Sequence, residues 1–196
     1  MLLHDKLKSF RLILASQSPR RRQLLSDAGI EYELAPRFEC DEVFPENLPA
    51  AEVAEYLSRL KSEAYPLPLE KNDILLTADT VVVAGGEVLG KPADRADAIA
   101  IIEKLSGKEH EVITGVTLRS AGAVKSFSSH SKVHFRILSR EEIEYYVDTY
   151  SPMDMGGAYG ILEWIGYVGI EGIEGSFYNV MGLPIQRVYC ELNEFV

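Results

Sequence analysis

Three segments of this chain carry side chains with the types and spacing to do chemistry. In LILASQSPRRRQLL (Leu12 to Leu25), Ser16 and Ser18 precede Pro19 and three consecutive arginines, Arg20, Arg21 and Arg22. Ser18-Pro19 reads as an N-cap followed by proline at the first helical position. The arginines therefore fall in the first turn of a helix, where the macrodipole disfavours cations by about 0.3–1 kcal/mol each. One reading is that the guanidiniums swing away into water. The other is that they join the free backbone amides and the serine hydroxyls in holding an anion, with strand, short loop and helix as the geometry and arginine as the bidentate donor. In LLTADTVV, Asp79 lies within an apolar run, where a carboxylate needs an ionic partner or a metal. A turn cap is the plainer alternative. A carboxylate at the carboxyl end of a strand can hold a divalent cation or take a proton from water. In GGEVLGKPA, Lys91 sits on a Gly-Pro corner, able to neutralise a phosphate. This segment is one residue from a Walker A motif, but Pro92 stands where the magnesium-binding hydroxyl would be, and Gly85-Gly86 is better explained as a hairpin turn.

These side chains need a scaffold. RLILA (residues 11–15) reads as a buried strand, followed by a helix from Ser18-Pro19 to about Ala28 and ended by Gly29. IEYELA alternates as a second strand, and FECDEVFPENLP is an acidic loop. AAEVAEYLSRLKSEAY has helical spacing over about four turns. DILLTADTVVVAGGEVLG gives two strands around Gly85-Gly86, and ADRADAIAIIEKLSG a capped helix ending at Gly107. Two long strands follow, joined at Ala121-Gly122, then a helix over REEIEYYVDTY, two Gly-rich aromatic segments and a last helix in PIQRVYCELNEF. In the second Gly-rich segment, GSFYNVMGLP, two readings stand: a loop presenting Asn179 as a donor, or a turn whose Phe177 and Tyr178 pack the core. Trp164 can stack on a base or pack. The pattern predicts one α/β domain over residues 1–196: a mixed twisted sheet with flanking helices and two lobes around a central cleft.

Composition narrows the partners. The chain has 196 residues, 46% hydrophobic, and a formal net charge of −10. That balance argues against nucleic acid, which needs a basic stripe. No apolar run reaches the roughly 18 residues of a membrane span, and the N-terminus lacks a signal-peptide pattern, so a cytoplasmic protein is expected. Cys40 and Cys190 are the only cysteines and are expected to be free. His130 and His134 share a face in HSKVH and are read as polar surface.

Taken together, LASQSPRRRQLL, CDEV, TADTVV, GKP, TGV, GGAYGI and GSFYNVMGLP resemble, in order and spacing, the Maf family of nucleotide pyrophosphatases. The resemblance covers about residues 12–184. It implies an α/β fold, often dimeric, that cleaves nucleoside triphosphates between the α- and β-phosphates with a divalent metal, magnesium or manganese. It implies that Ser16, Arg20 and Arg21 hold phosphates, and that Glu42 is the acidic residue after the second strand. Lys61 falls on the lysine of the following helix when LSRLKSEA is laid on the family's LAREKA. Asp79 is implied as base or metal ligand, with Thr80 beside it, and Lys91 as the lysine of GKP. The metal ligands would be Asp79 and Glu42, with Asp41 near them. Within the family the chain is similar to the dTTP/UTP pyrophosphatase subgroup, whose late segment reads DKAGAYGIQG. Here Met155 replaces the lysine and Leu162 the glutamine, a position tied to substrate choice. Leucine cannot hydrogen-bond a base edge. A nucleotide-binding regulator of cell division is the alternative function, and an ordinary phosphatase a third.

Overall fold

The computed structural model describes residues 1–196, which divide into two compact units. The first comprises Met1–Asp79, Thr114–Ser129 and Gly182–Val196. It opens with a short helix α1 (Leu3–Leu7) and strand β1 (Arg11–Leu14), whose Leu12, Ile13 and Leu14 are buried. Helix α2 (Pro19–Asp27) begins as expected: Ser18 is its N-cap, and its hydroxyl accepts from the Arg21 N–H at 3.4 Å. Gly29, with φ +68°, follows its last turn. Strand β2 is only Glu33–Leu34, both exposed, shorter than the alternation predicts. Helix α3 (Ala50–Ala64) buries Val53, Ala54, Leu57, Ser58 and Ser62 along one stripe.

Strand β3 runs Asp73–Ala84. Its first residues pair in parallel with β1, from Arg11 opposite Asp73 to Leu14 opposite Leu76, and β1 pairs in parallel with β2. At the amino ends, the Arg11 guanidinium forks onto the buried Asp73 carboxylate at 2.8 and 2.6 Å. Ile13, Ala15, Ala35, Tyr65 and Leu75 form an apolar cluster in this unit.

The second unit comprises Thr80–Ile113 and His130–Met181. Strand β3 continues into an antiparallel hairpin with β4 (Glu87–Leu89), turned by Gly85 and Gly86 at φ +60° and +81°. These positive values suit a type I′ turn and account for the glycines without a P-loop. Helix α4 (Arg95–Leu105) is capped by the Asp94 carboxylate. Strands β5 (Glu109–Arg119) and β6 (Val124–Phe135) are the two long strands expected, and each passes from one unit's residues to the other's. Helix α5 (Arg140–Tyr150) carries a full capping box between Ser139 and Glu142.

Beyond α5 the chain is more ordered than its glycines suggest. A short 3₁₀ turn (Gly156–Ala158), helix α6 (Trp164–Gly169), strand β7 (Ile170–Glu174) and helix α7 (Phe177–Met181) follow, and β7 pairs antiparallel with β6. Both readings of GSFYNVMGLP need correction. Phe177 and Tyr178 are exposed, while Asn179 is fully buried and its side-chain amide donates to Val112 C=O and Ser131 Oγ, each at 3.0 Å. Trp164 packs, its ring edge-on to Tyr145. Helix α8 (Ile185–Phe195) closes the chain and belongs with α1 in the first unit, where Lys6 Nζ donates to Asn193 C=O at 2.8 Å. The hydrogen-bonded order of the sheet is β2-β1-β3-β5-β6-β7, with β4 on β3: a mixed sheet with flanking helices.

Candidate active site

In the first unit the parallel pairing stops at Leu14 and Leu76, and the Ala15 N–H still donates to Leu76 C=O at 2.9 Å. Just past this point the carboxyl ends of all three parallel strands deliver their residues. β1 leads into Ser16–Ser18 and the α2 N-terminus, β2 into the loop carrying Glu42, and β3 into Asp79. The carboxyl ends of parallel strands are the usual place for ligand-binding groups. Asp79 caps no turn. It lies inside β3, almost fully buried, and its Oδ1 receives Lys61 Nζ from α3 at 2.6 Å. The same ammonium lies 3.2 Å from Glu42 Oε1. Two carboxylates from different elements thus converge on one cationic position.

The arginines divide. The Arg21 guanidinium turns inward: Nε donates to Gly182 C=O at 2.7 Å, and Nη1 to Ala78 C=O at 2.9 Å and Ser16 Oγ at 3.4 Å. Burial holds its pKa below the ordinary arginine value, opposed by the nearby Asp79 and Glu42 charges. Ser16 Oγ also accepts from the Ser18 N–H at 3.2 Å, so its own O–H remains available to donate. Arg20 precedes Arg21 on the first turn of α2, half-buried.

Of the residues singled out in the sequence, the structure brings Ser16, Arg21, Glu42, Lys61 and Asp79 together, with Arg20 beside them. Thr80, Lys91 and Leu162 belong to the second unit. Thr80 follows Asp79 on β3, Lys91 is exposed beside buried Pro92, and Leu162 is 45% exposed. The turn bearing Leu162 is held from both sides by one group: the buried Tyr146 hydroxyl accepts from the Gly160 N–H at 3.1 Å and donates to the Glu163 carboxylate. His134 has carboxylate neighbours that the sequence spacing does not reveal. Its Nε2 lies 3.1 Å from Glu174 Oε1 and 3.6 Å from Glu109 Oε2, but Lys132 Nζ already neutralises Glu109 at 3.0 Å. His130 contacts Glu111 instead. Cys40 and Cys190 are both free.

Lys61 was legible only through the family resemblance, since nothing local tells that a helix lysine will meet a strand aspartate 18 positions on. The supports beneath it have a weak signal. Ser58 and Ser62 interrupt the buried apolar stripe of α3, and a lone Gly115 sits inside the apolar strand VITGVTL.

This is the construction of an α/β protein that sets an arginine-bearing helix N-terminus beside a carboxylate–ammonium cluster. The chain belongs to the Maf-like protein family, whose model matches residues 11–195. The dTTP/UTP pyrophosphatase of Bacteroides thetaiotaomicron is 50% identical over 188 residues, covering 96% of this chain and 97% of its own. That of Phocaeicola vulgatus is 48% identical over 97% of this chain and 98% of its own. Among solved structures, a HAM1 protein from Coxiella burnetii aligns over 94% of this chain and 99% of its own at 14% identity, with a TM-score of 0.48.

Proposed function

We propose that this protein is a metal-assisted nucleoside triphosphate pyrophosphatase that hydrolyses dTTP and UTP, or related modified nucleotides, to the monophosphate and pyrophosphate. The observation that carries the reading is the convergence of Asp79 and Glu42 on Lys61 at the mouth of the parallel strands. Its substrate class is that of the pyrophosphatase relatives, which it matches over nearly its full length.

Breaking a phosphoanhydride is mostly positioning and charge neutralisation. In this reading the Ser16 hydroxyl and Arg20 hold phosphate oxygens. Lys61 neutralises charge at the reacting phosphate, and Lys91 contributes a second cation. Thr80 and Leu162 are assigned to substrate contact. The Asp79 carboxylate is the group placed to accept a proton from the attacking water. The donor set fits a hard divalent cation, because two carboxylates already share one cation between them and magnesium fills its remaining positions with water and phosphate oxygens. Asp79 and Glu42 would hold magnesium or manganese, which supplies neutralisation of the pyrophosphate leaving group.

The reading takes residues 1–196 as one functional domain, working in the cytoplasm as a homodimer, with neither nucleic acid nor membrane as partner. The acidic net charge supports the exclusion of nucleic acid, and no helix is long and apolar enough to cross a membrane. Light scattering on the purified protein tests the dimer.

The test of function is product analysis with magnesium or manganese over dTTP, UTP, CTP, GTP and 7-methyl-GTP, resolving pyrophosphate from orthophosphate. Pyrophosphate release that is lost in Asp79→Asn is expected. Orthophosphate as the product, or nucleotide binding with no turnover, would overturn the assignment.

A further inference from the structure

Two bonds tie α3 to β3 in the first unit. The upper one is Lys61 Nζ to Asp79 Oδ1 at 2.6 Å; the lower one is Thr77 Oγ1 donating to Ser58 C=O at 2.7 Å. Thr77 precedes Asp79 by two residues on the strand and so points to the same face. Ser58 precedes Lys61 by three on the helix and so lies one turn below it on the same side. The two bonds are consecutive rungs between the same pair of elements.

The lower rung is buried and braced. Ser58 and Thr77 are both fully buried. Ser58 Oγ donates to Glu55 C=O at 2.8 Å and shares a bond with Thr117 Oγ1, also at 2.8 Å. Thr117 Oγ1 in turn meets Ser126 Oγ at 2.9 Å, so a line of hydroxyls runs from the helix into the β5–β6 hairpin. The helix is pressed close here. A methyl on Gly115 of β5 would fall 2.2 Å from the Ala54 carbonyl carbon, one turn before Ser58. At the other end of α3, Arg119 donates to Ser62 C=O at 2.6 Å and to Ser62 Oγ at 3.0 Å.

An apolar seam would hold α3 against the sheet but leave it free to slide by small amounts. A directional bond from a strand hydroxyl to a helix carbonyl sets the register. We infer that Thr77 is a positioning residue for the reaction: through Ser58 it fixes the height of α3 on β3 and so sets Lys61 on Asp79. The inference rests on the proposed pyrophosphatase reading for its kinetic consequence, and on the geometry alone for its structural one. Thr77 touches no substrate in this account.

The experiment compares wild type, Thr77→Val and Thr77→Ser. Valine keeps the shape and removes the hydroxyl, while serine keeps the hydroxyl. Steady-state kinetics on dTTP and UTP would be paired with thermal melts and with the ¹H–¹⁵N signal of the Lys61 ammonium, which persists only while the ammonium is held and shielded from exchange. In Thr77→Val, kcat should fall roughly 10- to 100-fold, the range for a misplaced reacting group, with KM within about twofold. The Lys61 signal should broaden or vanish, and Thr77→Ser should restore both. A folded Thr77→Val with wild-type kcat and an intact Lys61 signal would overturn the inference. So would a loss that serine fails to rescue. A wild-type protein that released no pyrophosphate would sink the functional reading instead, and the Lys61 signal in the three proteins would still decide for or against the positioning role.

Discussion

Arg21 Nη1 donates to the carbonyl of Ala78, the residue immediately before Asp79, at 2.9 Å. An arginine that reads from sequence as a phosphate ligand is thereby also a brace. Its Nε holds Gly182 C=O at the start of the α8 segment, so one guanidinium ties the arginine loop, the carboxylate strand and the C-terminal segment of the first unit. Arg20 and Arg21 should therefore fail differently. Arg21→Lys keeps the charge but loses the planar fork that reaches several acceptors at once. Leaving buried carbonyls short of a donor costs about 1–3 kcal/mol, or a melting temperature about 2–12 °C lower. A kcat loss should accompany it. Arg20→Ala should instead raise KM for the nucleotide with little change in melting temperature. Calorimetry and steady-state kinetics on both variants check this, and equal melting temperatures would remove the brace from Arg21.

Lys61 and Asp79 should behave as one unit. Removing either side chain alone is expected to lower kcat by at least about 10²-fold, in the range of a lost acid–base or neutralising group. The double variant Lys61→Ala/Asp79→Asn should be no worse than the poorer single one, because groups that act together are not additive. Asp79→Asn should still fold, since Glu42 remains as a partner for the ammonium. A double-mutant cycle on kcat/KM reads the coupling directly. Strict additivity would mean that the two groups serve separate steps.

Gly115→Ala tests the seat of α3. The new methyl would lie 2.2 Å from the Ala54 carbonyl and 2.3 Å from the Glu55 nitrogen, backbone atoms that cannot rotate aside. The helix has to lift, at a cost of about 3 kcal/mol, and the melting temperature should fall by about 6–12 °C. The lift would also draw Lys61 from Asp79, so activity should fall even well below the melting temperature. Melting unchanged from wild type would contradict the close approach.

How much of this was readable beforehand depends on whether a feature is local. The α2 start at Ser18-Pro19, its stop at Gly29 and the Gly85-Gly86 turn follow from short-range stereochemistry, and all three stand where expected. Asp79 announced itself as a carboxylate in an apolar run. The braces did not, because Arg21 to Gly182 spans 161 positions and Arg119 to Ser62 spans 57. The segment from Gly156 to Met181 was opaque for another reason. Its 3₁₀ turn depends on positive φ at Gly157 and even at Ala158, and its helices are too short for periodicity to show. There the aromatics misled: Phe177 and Tyr178 are outside, and the buried member is Asn179, whose side-chain NH₂ donates to β5 and β6.

The second unit carries its own pH dependence. His110 is almost fully buried, with ring edges against Phe135 and Tyr159. Its Nε2 meets the Tyr159 hydroxyl at 2.7 Å, and its Nδ1 has no hydrogen-bond partner. Burial first, then the nearby His134, brings its pKa down to about 4, with Glu109 opposing. In the unfolded chain the imidazole takes up its proton near pH 6.5. Between about pH 6.5 and 4 the unfolded state therefore binds more protons than the folded one, and stability falls as the pH is lowered through that window. The slope for one proton approaches about 1.4 kcal/mol per pH unit. Urea melts of wild type and His110→Gln from pH 7 to pH 4 isolate it, because carboxylates titrating at the acid end are common to both proteins. The glutamine amide can keep the bond to Tyr159 without titrating. The gap between the two curves should move in favour of His110→Gln as the solution is acidified below pH 6.5. Parallel curves would mean that the His110 ring takes up its proton at the same pH in the folded and unfolded chains, so that burial against Tyr159 and Phe135 does not hold its pKa down.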